Sequence, residues 1–201
     1  MATFRRSRQG LFSLTLHVSE ADLLASLARE VVELLEVPEP PARRVDPLAA
    51  ELGLADLPRF EDVPDLGADG PTAAPEDEVL RRLLPNAYAE DDPQASADFR
   101  RFTERGLRER KAASARALLA SLEPVEGQGG RVQLDADGAR TWLVALNDIR
   151  LALGTRLGVS DDPDDGADPY EALAEDDPAR WAWAVYDFTT HLQETLVRSL
   201  S

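Results

Sequence analysis

No cysteine occurs in the 201 residues. That absence removes disulfides, thiolate zinc sites, iron–sulfur clusters and thiol redox chemistry from this chain together. Lysine is nearly absent too: Lys111 is the only one, so almost all positive charge is arginine. No apolar run approaches the ~20 residues that a membrane span needs. No apolar h-region follows Arg5-Arg6-Ser7-Arg8 either, so no membrane segment and no secretory signal are read, and a cytoplasmic location is expected. The two histidines, His17 and His191, stand alone without ligand-spaced neighbours. There is no H-E-x-x-H, no G-x-S-x-G, and no Walker or dinucleotide glycine loop. The chain is accordingly read as non-enzymatic, with no cofactor and no metal.

What the chain has in excess is acid. Asp and Glu number 38 against 22 Lys and Arg, a net charge of −16. A field of that sign repels phosphate backbones and anionic membranes, so DNA contact is disfavoured and would need a local basic patch. Hydrophobic content of 43% is enough for a core. The length suits one domain, 1–201, with a flexible excursion at 55–75 and an acidic loop at 160–177. That loop brushes the calcium-loop pattern around Gly166, but Pro163 takes the third position and Ala172 the twelfth, where a bidentate Glu is required. A solvated loop is the reading taken.

Periodicity supplies a mainly α fold of five or six helices with a small N-terminal β-hairpin. Phe12, Leu14, Leu16 and Val18 alternate with Ser13, Thr15 and His17, a half-buried strand after a Gln9-Gly10 turn. Ser19 and Asp22 suggest a capping box for a helix over 20–37, with Leu23, Leu24, Leu27, Val31, Leu34 and Leu35 on its apolar stripe. Asp46-Pro47 starts a short helix closed by Gly53. Another runs from Glu76 to Leu84, stopped by Pro85. Asp92-Pro93 opens a helix of about 30 residues, because no further proline occurs before Pro124. Val132 and Leu134 form a short strand that can join the hairpin. Asp135 or Asp137 caps the next helix, which ends near Gly158, and Asp177-Pro178 starts the last one, to about Leu200.

Three constellations stand out. Arg150 falls on the stripe Leu143, Leu146, Leu153, Leu157, where a guanidinium needs a partner. It is read as a structural ion pair with Asp98 or Glu104, the alternative being recognition of a carboxylate or phosphate ligand. Arg101, Arg105 and Arg108 line one face at i, i+4, i+7, either a binding patch or a solvated face. Trp181, Val185, Phe188, Leu192, Leu196 and Leu200 form a core stripe. Trp183 and Tyr186 lie on another face, as an extension of that core or an exposed patch for a partner. Phe99 and Phe102 are assigned to the core.

Leu83-Leu84-Pro85-Asn86-Ala87-Tyr88, Asp98-Phe99-Arg100-Arg101-Phe102-Thr103-Glu104 and Trp142-Leu143-Val144-Ala145-Leu146-Asn147-Asp148-Ile149-Arg150-Leu151-Ala152-Leu153-Gly154 together resemble an actinobacterial domain-of-unknown-function family, number 2017. The resemblance extends through Tyr186 to Leu196. It implies a regulatory protein of the oxidative-stress response that acts through a protein partner in the transcription machinery. The family's usual neighbour, the protease adaptor ClpS, implies the alternative, an accessory or scaffold in Clp-dependent proteolysis. Sensing in the family is assigned to a cysteine pair, and no position here can take that role.

Overall fold

The computed structural model describes residues 2–36, 74–86, 93–159, 170, 173–174, 176–177 and 179–201. The expected helix after Pro47, residues 55–73 of the excursion, Asp92, and residues 160–169, 171–172 and 175 of the acidic loop lie outside them. The described chain runs β1 (Arg5–Arg6), β2 (Phe12–Leu16), α1 (Val18–Leu35), α2 (Glu78–Leu83), α3 (Pro93–Leu122), β3 (Gly130–Leu134), α4 (Ala136–Leu157) and α5 (Ala179–Leu200). The fold is mainly α, with five helices among the described residues and a three-stranded antiparallel sheet ordered β1-β2-β3.

The strand alternation sets the sheet. Phe12, Leu14 and Leu16 point into the core, and Phe12 pairs with Leu134 and Leu14 with Val132. One face is therefore apolar, and a slip of one residue would expose it. Gly129 closes the approach to β3 at φ +71, and a Cβ there would lie 2.9 Å from the Val18 backbone nitrogen. Only glycine fits that position.

Helix ends follow local chemistry. Asp77 accepts from Leu80 N at 2.8 Å, Asp135 from Gly138 N at 2.7 Å, and Asp177 from Ala179 N at 2.8 Å. Gly158 ends α4 in the left-handed region. The start of α1 differs from expectation. Its N-cap is His17, not Ser19. The His17 ring accepts from Ser19 N at 3.4 Å, and Glu20 reaches back to His17 N at 2.9 Å. The strand ends one residue before His17, so the imidazole reaches the first free amides before a serine further on can. Replacing His17 with alanine is expected to cost about 1 kcal/mol, read as a small drop in thermal midpoint, with Ser19→Ala near neutral.

α4 is the hub. It packs against α5, α3, α2 and α1 and touches β3. Its buried stripe is Ala139, Trp142, Ala145, Leu146, Ile149 and Ala152. This lies about one residue, ~100° of helix turn, from the stripe expected from its leucines; Leu143 and Leu153 are only half-buried. Trp142 is fully buried, donates to Ser121 Oγ at 2.8 Å and meets Phe4 edge-on at 5.6 Å. The C-terminal end of α5 holds the first strand: Phe4 N donates to Thr195 Oγ1, and Ser199 Oγ donates to Phe4 O, each at 3.3 Å.

Candidate functional site

α3 is built unlike an ordinary amphipathic helix. In its C-terminal half Ala112, Ala115, Leu118 and Leu122 are buried. In its N-terminal half the buried positions are Ser96, Arg100 and Glu104, while Phe99 is 45% and Phe102 66% exposed. Both phenylalanines were expected in the core, and the structure places them at the surface. The reason is rotational. The inward stripe passes through residues 96, 100 and 104, four apart, and positions 99 and 102 fall off it.

Burial of charge on that stripe is made tolerable by pairing. Glu104 accepts from Arg100 at 2.8 Å and from Arg108 at 2.8 Å, one turn on either side. Arg100 also donates to Asn86 and to Leu84 O, which ties α3 to the end of α2. Arg108 thus faces inward and leaves the expected basic patch. Of that patch, Arg105 is strongly exposed and pairs with Glu109 at 3.1 Å, and Arg101 approaches Asp98 at 3.6 Å.

Lys111 is the next inward group, and it bridges helices. It pairs with Asp148 of α4, whose carboxylate is buried. Burial pushes the Asp148 carboxyl above its ordinary value, and the hydrogen bond and charge of Lys111 pull it partly back. Asp148 Oδ2 has no hydrogen-bond partner among the described residues. No sequence signal joins two residues 37 positions apart. The Arg100–Glu104–Arg108 spacing, by contrast, is legible as a ladder of i, i+4 pairs.

Arg150 does not meet Asp98 or Glu104. It turns to α5, where Nε donates to Thr190 Oγ1 at 2.9 Å, one terminal nitrogen to Gln193 Oε1 at 2.7 Å and the other to the Tyr186 hydroxyl at 3.4 Å. The guanidinium also lies 5.5 Å from the Tyr186 ring centroid. The expected pair fails because α4 is rotated: Asp148, not Arg150, faces α3, and Glu104 is already answered within its own helix. Trp183 stacks edge-on against Tyr186 at 5.8 Å, both half-buried. Of the α5 core stripe, Val185, Phe188, Leu192 and Leu196 are buried, but Trp181 is 67% exposed. It sits in the first turn, before the buried part of the helix begins.

Two surfaces result. One is the outer face of α3, where Phe102, Arg105 and Glu109 follow at helical spacing. The other is an open cleft of about 200 Å³ between α2, α4 and α5, lined by Arg82, Arg150, Thr155 and Tyr186. Among the described residues no group of three or more acids or histidines is arranged to hold a metal ion, and no helix is long and apolar enough to cross a membrane.

Comparison with known proteins adds relatives named oxidative stress regulator AosR. Those from Mycobacterium bovis and Mycobacterium tuberculosis are 36% identical over 137 residues, covering 64% of this chain and 60% of theirs. The chain therefore spans about 60% of the length of these relatives. No solved structure matches. The family model described as a domain of unknown function, DUF2017, matches residues 1–200, and the chain belongs to that family.

Proposed function

We propose that this protein is a non-enzymatic regulator of the stress response that acts on transcription through a protein partner docked on the outer face of α3. The observation that carries the reading is Phe102, 66% exposed beside the exposed Arg105. Phenylalanine and arginine are both enriched in protein interfaces relative to the rest of the surface. The relatives named as oxidative stress regulators support the regulatory part. A partner presenting carboxylates around an apolar pocket, within the transcription machinery, fits the Arg101 and Arg105 charges. DNA does not fit as well, because phosphate attraction must work against a net charge of −16. With no cysteine in the chain, a response to oxidation here does not run through a thiol.

Affinity purification from the native cell, read by mass spectrometry, tests this with the chain and its Phe102→Ala/Arg105→Glu variant. The expected result is recovery of a polymerase subunit or sigma factor by the parent, reduced at least tenfold by the variant. Undiminished recovery would overturn the surface assignment. Recovery of ClpS or its unfoldase without any transcription component would overturn the reading in favour of a proteolysis accessory.

A further inference from the structure

The cleft between α2, α4 and α5 holds a half-buried arginine whose described partners are all neutral. Most other cations with a described partner in this acidic chain meet a carboxylate: Arg100 and Arg108 share Glu104, Lys111 takes Asp148, and Arg29, Arg116 and Arg156 reach Glu126, Glu36 and Glu30. Arg150 is half-buried and is held instead by neutral acceptors, Thr190, Gln193 and Tyr186. Those three bonds fix its plane without neutralising it. A guanidinium carries five N–H donors, so two remain beyond the three engaged, and Arg150 lines the cleft. The Tyr186 hydroxyl accepts from Arg150, which leaves its own proton to donate. Arg82 of α2 also lines the cleft. Gly154 lets the Tyr186 ring lie close to α4, since a Cβ there would stand 3.3 Å from Cε2.

A fixed guanidinium fork, a phenol donor and a second arginine, with no acid among the described lining residues, are the groups that recognise an oxyanion. We propose that this cleft binds a small oxyanion, the phosphate or carboxylate of a low-molecular-weight ligand. At about 200 Å³ the cleft is smaller than the ~300–1,000 Å³ of pockets for drug-sized molecules, which fits such an anion. Arg150 supplies the bidentate contact, Tyr186 the neutral donor, and Arg82 long-range attraction. The site lies on helices other than α3, so it stands or falls independently of the partner surface.

The test uses the full chain alone. Isothermal titration with sodium phosphate and with sodium succinate, against sodium chloride at equal ionic strength, gives the binding. Saturable binding of phosphate or succinate at millimolar concentration, beyond chloride, is expected; phosphate alone identifies a phosphate-bearing ligand and succinate alone a carboxylate. Arg150→Gln should weaken binding at least tenfold, with helical circular dichroism unchanged. The exposed Arg82→Gln, which should fold regardless, should weaken it several-fold, and Arg105→Gln on α3 should leave it as it was. No response beyond chloride to either anion overturns the proposal. So does full affinity in both Arg150→Gln and Arg82→Gln.

Discussion

Glu104→Ala is expected to lower the stability of the chain by about 3–5 kcal/mol, the cost of breaking a buried ion pair by removing one partner. Glu104 is only 3% exposed and answers two arginines. Without it, Arg108 can turn outward, but Arg100, with 7% of its side chain exposed, remains tied to Asn86 and Leu84 O. Its charge is then buried against neutral acceptors alone. For a chain of this size 3–5 kcal/mol corresponds to a thermal midpoint lower by about 10 °C. Glu109→Ala, on the same helix but exposed, should change stability by less than about 0.5 kcal/mol. Thermal unfolding of the two variants decides the matter, and equal midpoints would show that the Glu104 cluster contributes nothing beyond a surface pair. Replacing all three residues together, as Arg100→Met/Glu104→Leu/Arg108→Leu, should recover most of the loss, because no charge is left stranded.

Lys111→Met is expected to cost about 3 kcal/mol at neutral pH, and much less in acid. Lys111 provides both influences that lower the Asp148 pKa, a hydrogen bond and a charge. Without it burial acts alone, and the carboxyl rises further. A carboxyl whose folded pKa lies above its unfolded value of 3.8 binds its proton more tightly in the folded state. Its favourable contribution is full below 3.8 and is lost as pH rises through the folded pKa. The gap between parent and variant should therefore widen from acid to neutral pH, as measured by urea unfolding at a series of pH values. Lys111→Met/Asp148→Asn should close most of the gap at neutral pH. A gap independent of pH, or one that grows in acid, would contradict the assignment of Asp148 as a buried, ionised partner.

Both predictions concern residues whose role composition could not reveal. A charged residue in an acidic, arginine-rich chain reads by default as solvated. On α3 that default fails because Arg100 and Arg108 find Glu104 one helical turn away and Lys111 finds Asp148 on α4, which lowers the cost of facing inward. Phe99 and Phe102 were misplaced for the complementary reason. Hydrophobicity says only that burial is favourable, and many apolar side chains stay at the surface when the inward stripe is occupied. Trp181 and the leucines of α4 repeat the lesson. A leucine-rich stripe and a stripe one residue away are nearly equal in a helix contacted on several sides, and the neighbours choose between them.

What the sequence determined by itself was most of what depends on neighbours along the chain, the cap of α1 at His17 excepted. The helix starts at Pro93 and after Asp177, the stop of α2 before Pro85, the Gly158 stop of α4 and the strand alternation over residues 12–16 are local statements about amides, φ angles and pleat, and they follow from the residues. The sequence offered Val132–Leu134 as a strand able to join the hairpin, and the fold made the pairing. The absence of cysteine likewise settled that no thiol chemistry belongs to this chain. The tertiary structure alone decided which face of each helix turns inward. It joined Lys111 to Asp148, turned the Arg100–Glu104–Arg108 ladder inward, and turned Arg150 away from Asp98 and Glu104 toward Thr190, Gln193 and Tyr186. Helix rotation is set by the summed packing of several partners at once, and a difference of ~100° separates a salt bridge in the core from an arginine at the edge of a cleft.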